Sequence, residues 1–153
     1  MTLPTSRLGV RVSLSAPLKI MEDNNMSIAF MIDTNLDIIL SSWIGKISDE
    51  VLITTFNHML KTNKDFHPGL HHIADICEAD TTEISKSALK ELSEIMKRHT
   101  YRGNRYVAII AEQESDFKMS EIYRSFFKQE DRDIEIFTNF EDALEWIKHV
   151  RKD

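Results

Sequence analysis

Four carboxylates, Asp75, Glu78, Asp80 and Glu83, are crowded together with the hydroxyls of Thr81, Thr82, Ser85 and Ser87. Oxygen-rich clusters of this kind hold hard cations, and a serine at a helix start can carry a phosphate facing the positive end of the helix dipole. The spacing, however, lacks the alternating acids and the glycine of a calcium loop. A solvated acidic edge is the plainer expectation. For Ser85 the plainer role is an N-cap that satisfies backbone N–H groups of the following helix, worth ~1 kcal/mol. Glu78, Asp80 and Glu83 would also repel an added phosphate of about −1.5 to −2 charge. Ser85 and Ser87 are therefore retained only as a candidate phospho-switch or partner edge.

His67, His71, His72 and Cys77 are the other candidates, because imidazole and thiolate suit zinc. Adjacent strand residues point to opposite faces, so His71 and His72 are not expected to share one ion. Cys77 is the only cysteine, which excludes an intrachain disulfide and a CxxC motif and leaves a thiol with no orienting histidine evident nearby. Lys97, Arg98, His99, Arg102 and Arg105, interleaved with Tyr101 and Tyr106, form a basic cluster. Cations at a helix C-terminus follow from the dipole alone, and an anion or partner patch is the sharper alternative. The four glycines, Gly9, Gly45, Gly69 and Gly103, cannot write a P-loop, GxGxxG or GxSxG. No catalytic residue, metal ligand set or cofactor site is expected, and an enzyme is not expected.

The elements that would position these groups begin at Ser27. SIAFMID and LDIILSSWIG read as strands joined by a turn at Asp33, Thr34 and Asn35. Ser48 caps a helix with Asp49 and Glu50 in its first turn and with Leu52, Phe56, Met59 and Leu60 at helical spacing. A strand over 70–77 leads through the carboxylate-rich loop to a helix over 86–99 that buries Leu89, Leu92, Ile95 and Met96. RYVAIIA is a strand apolar on both faces. A helix with Met119, Ile122, Tyr123, Phe126 and Phe127 inward follows. These side chains are expected to build core, and with Phe117 they could line an apolar pocket if the helix docks loosely. DIEIFT and a helix capped by Asn139, with Asp142 three residues on, complete the chain. The order β-β-α-β-α-β-α-β-α predicts an α/β fold with a mixed five-stranded sheet, one hairpin and parallel crossover units.

With 153 residues, one domain over 27–153 is expected, preceded by an extension over 1–26, either disordered or non-native to the protein. Its first 21 residues hold Arg7, Arg11 and Lys19 and no acid, so the chain from Glu22 onward carries −9 against −6 for the whole. Affinity for nucleic acid comes mainly from Lys and Arg neutralising phosphates, so such partners are not expected. No apolar run approaches the ~20 residues of a spanning helix, and a cytoplasmic location is the default expectation.

The hairpin with SSWIGKISDEVL, the FHPGLHHIADICEAD segment, the serine-capped helix, YVAIIAEQE and the closing IEIFTNFEDALEWI together resemble the SpoIIAA-like members of the STAS-type domains, over about residues 27–150. The resemblance implies a non-catalytic regulatory or protein-interaction module, or alternatively a small apolar-ligand or lipid-binding domain of the same fold. In the anti-sigma-factor antagonists, a serine at the start of the helix after the third strand is phosphorylated and switches partner binding. Their Asp-Ser-Ser-Gly motif is absent here, where Glu83-Ile84-Ser85-Lys86-Ser87-Ala88 stands, so Ser85 and Ser87 match by position only. A protein partner is expected, an apolar small molecule is the alternative ligand, and self-association is left open.

Overall fold

The computed structural model describes residues 27–62, 70–98, 106–128 and 133–150. The expected extension over 1–26 lies outside these residues, as do His67, His99, Tyr101, Arg102 and Arg105.

Five strands form one sheet in the order β1-β2-β3-β4-β5: β1 Ile28–Asp33, β2 Ile38–Lys46, β3 His71–Asp80, β4 Tyr106–Ile110 and β5 Asp133–Phe137. β1 and β2 pair antiparallel, and every later pair is parallel. Four helices follow β2, β3, β4 and β5: α1 Asp49–Thr62, α2 Lys86–Arg98, α3 Glu114–Arg124 and α4 Phe140–Val150. Because the parallel strands advance steadily across the sheet, crossovers of one hand place α1, α2 and α3 on the same face. There α2 packs between α1 and α3, whereas α4 alone among the described helices packs on the other face, over β3, β4 and β5.

Alternation along the strands divides the core accordingly. Phe30, Ile39, Ile76, Val107 and Ile109 face α1–α3, while Leu40, Ile73, Ala108 and Ile110 face Phe140, Ala143 and Ile147 of α4. β4 is thus apolar on both sides, as expected of a strand covered on both faces. Full burial of a Leu, Ile or Phe side chain contributes ~1.5–3 kcal/mol, so these two layers carry the stability that no cross-link supplies.

Three expectations are corrected. The hairpin loop extends through Asp37, because Asp33 Oδ1 accepts the N–H groups of Asn35 and Leu36 and Asp37 adopts φ 55°, closing a longer turn before β2. Glu78 and Asp80 are strand residues rather than loop residues: past a bulge, β3 keeps pairing with Ile44, Gly45 and Lys46 of β2. Phe126 and Phe127 lie in the turns after α3, whose N–H groups bond to Tyr123 and Arg124 carbonyls, yet both still pack against the core.

Candidate functional site

The carboxyl ends of β2 and β3 meet the N-termini of α1 and α2. Ser48 caps α1 by accepting the Val51 N–H at 3.1 Å, and Ser85 caps α2 by accepting the Ala88 N–H at 3.0 Å. The two caps are tied together. Asp49, in the first turn of α1, accepts the Ser85 N–H at Oδ1 and the Ser85 hydroxyl at Oδ2, both at 2.7 Å. The Ser85 hydroxyl therefore donates to one helix and accepts from the other, while Ser87, two residues on, is exposed.

Beside this clasp runs a polar rim. Ile44 pairs with Glu78 and Lys46 with Asp80 across the sheet, so the four side chains share one face, and all are exposed. Ile44, at 42 %, is the single exposed large hydrophobic side chain among the described residues. Gly45 between Ile44 and Lys46 adopts φ +74°, a conformation that strains any residue with a Cβ. Lys46 reaches Glu83 at 2.5 Å, and this hydrogen bond and charge hold the lysine above its ordinary pKa. Asp80 accepts the Thr82 hydroxyl at 2.5 Å and its N–H at 3.0 Å, which lowers the carboxyl pKa. Among the described residues, no three His, Cys, Asp or Glu side chains converge as a metal site would require. Asp75 is buried along β3, and Cys77 Sγ approaches the Ile110 carbonyl at 3.5 Å.

His71 and His72 do point to opposite faces. His71 accepts the Tyr106 N–H at Nδ1 on the α4 side. His72 Nε2 lies 2.7 Å from the Ser41 hydroxyl, which also accepts the Trp43 indole N–H at 2.9 Å. Two of this buried trio, His72 and Trp43, line a cavity beneath α1, α2 and α3. Phe56, Met96, Met119 and Tyr123 line it, so two of the aromatic and methionine side chains expected on α3 do face a pocket. Its volume is ≈ 30 Å³. That is room for about one or two waters, so occupation by anything larger requires side chains to move.

A second buried polar group went unnoticed in the sequence. Asp116, with 0 % exposure, accepts the Thr81 hydroxyl at Oδ1 and the Gln113 N–H at Oδ2. It locks the start of α3 to the end of β3. Burial raises its carboxyl pKa, against the lowering effect of the Gln113 N–H and the Thr81 hydroxyl. The local signal was Gln113-x-x-Asp116, which completes a capping box at the α3 N-terminus. At the other end of α3, Lys97 of α2 donates to the Phe126 carbonyl at 2.5 Å and lies 5.1 Å from the Phe127 ring centre. Lys97 of the basic cluster thus ties the end of α2 to the turn that follows α3.

No family model matches the chain, and no curated protein matches it significantly. Among solved structures, it is similar to an uncharacterised protein of the DUF3478 family with a SpoIIAA-like fold from Shewanella loihica PV-4. The two share 21 % identity and a TM-score of 0.54, over 83 % of this chain and 98 % of the other. The chain, a mixed five-stranded sheet with helices on both faces, has a SpoIIAA-like α/β fold.

Proposed function

We propose that this chain is a non-catalytic regulatory module that binds a protein partner through the edge formed by the ends of β2 and β3 and the start of α2. The observation that carries this reading is Ile44, an exposed apolar side chain set among Lys46, Glu78 and Asp80. Apolar anchors within a polar rim are the usual anatomy of an interface, and the surrounding carboxylates favour a partner with basic groups around an apolar contact. Ser87 borders this edge, exposed in the first turn of α2, where a phosphate would meet the positive helix end. A phosphate on Ser85 would instead confront Asp49 and open the clasp between α1 and α2.

The test is mass-spectrometric mapping of the protein after incubation with ATP and extract of its own cells, followed by partner capture. Phosphate on Ser87 or Ser85 that changes the retained partner supports the switch. Unmodified serines under conditions that label other proteins remove the switch and leave only the partner edge.

A second reading, binding of a small apolar molecule, is supported by the cavity under α1–α3. Native mass spectrometry of the purified chain that finds a bound apolar mass supports it.

A further inference from the structure

The cavity has a chemical character narrower than "apolar". Its walls come from β2, β3 and β4 below and from α1, α2 and α3 above, and no Asp, Glu, Lys or Arg lines it. His72 and Trp43, which line it, both bond to the Ser41 hydroxyl, through Nε2 at 2.7 Å and through the indole N–H at 2.9 Å. A carboxylate or ammonium entering there would lose its hydration and meet no permanently charged side chain, only the His72 imidazole, whose Nε2 already bonds to Ser41, whereas neutral hydrocarbon has no hydration of charge to lose. Two of the walls are methionines, Met96 and Met119, whose unbranched thioethers rearrange at low cost. They can widen a slot that is narrow as it stands.

We propose that this cavity binds an uncharged hydrocarbon molecule, of the class of a medium-chain alcohol, and rejects the carboxylate and ammonium of the same chain length. The proposal rests on the apolar-ligand reading above and is independent of the partner edge. The hydrocarbon lies between the sheet and α2–α3, in contact with Met96 and Met119, and its entry leaves the Ser41–His72–Trp43 bonds intact.

The full chain, labelled with ¹³C at its methionine methyl groups, tests this by titration with n-hexanol, hexanoate and hexylammonium at neutral pH. The expected result is a saturable shift of the Met96 and Met119 signals with hexanol. Met31, on the other face of the sheet, should stay unmoved. Binding of either ion should be weaker by about tenfold or more, as desolvation of an unpaired charge requires. Ala74→Val, which narrows the cavity, should weaken hexanol binding further. Hexanoate binding as tightly as hexanol overturns the uncharged-ligand inference while the apolar-ligand reading stands. No shift of Met96 or Met119 with any probe overturns both. Hexanol binding unchanged by Ala74→Val in a folded protein also overturns the assignment, because the ligand then sits elsewhere.

Discussion

Two sets of polar side chains in this molecule are built on opposite terms. Inside, Ser41, His72 and Trp43, and likewise Thr81 and Asp116, are buried and bonded to named partners. At the strand ends, Lys46, Glu78, Asp80 and Glu83 are exposed. A buried polar group left without its partner costs the full loss of hydration, whereas an exposed ion pair is screened by water and salt. The buried groups therefore fix the structure, and the exposed ones are available to something outside it. Charge content alone does not separate the two, since Asp116 and Glu83 look alike in composition.

The comparison breaks most readily at Asp116. Asp116→Ala strips the partners from the Thr81 hydroxyl and the Gln113 N–H and should cost about 2–3 kcal/mol in urea unfolding. Its pH dependence has a definite sign. A buried carboxyl with a raised pKa binds its proton more tightly when folded, so its contribution is fullest below the ordinary carboxylate value and is lost as pH rises through the raised one. Stability relative to Asp116→Asn, measured across that window, should accordingly fall with rising pH. A flat difference would mean that burial does not raise this group.

Ser41→Ala should follow, at about 1–3 kcal/mol, because it leaves the Trp43 indole N–H buried without its acceptor. Ser85→Ala removes both the cap of α2 and the bond to Asp49, and should cost about 1–2 kcal/mol. Glu83→Gln at the rim should change unfolding by less than about 1 kcal/mol, and less still in high salt. A rim substitution as costly as Ser41→Ala would erase the distinction between the two regions.

The element order, the caps at Ser48, Ser85 and Asn139, and the inward faces of the helices were legible in the sequence, because periodicity and capping act over a few residues. What escaped were pairings between distant positions. Glu78 and Asp80 read as loop because they are charged, yet their strand character comes from register with Ile44 and Lys46 of β2. His72 and Ser41 are placed side by side by the same strand pairing, which nothing local announces. Asp116 was partly legible through its capping box, but its bond to Thr81 was not, since only the fold brings the end of β3 to the start of α3. The candidate serines were found from sequence, whereas the clasp with Asp49 that distinguishes Ser85 from Ser87 required the structure.

The central claim, that the rim around Ile44 receives a protein partner, is tested most directly by comparing three immobilised forms in an extract of the protein's own cells: wild type, Ile44→Asp and Lys118→Gln. Both substitutions make the net charge more negative by one unit, and Lys118 is exposed on α3, outside the strands and helix that form the rim. Neither should move stability by more than about 0.5 kcal/mol, as is usual for surface positions. The account expects a protein retained by wild type and Lys118→Gln and lost from Ile44→Asp; a bound set identical across all three contradicts it.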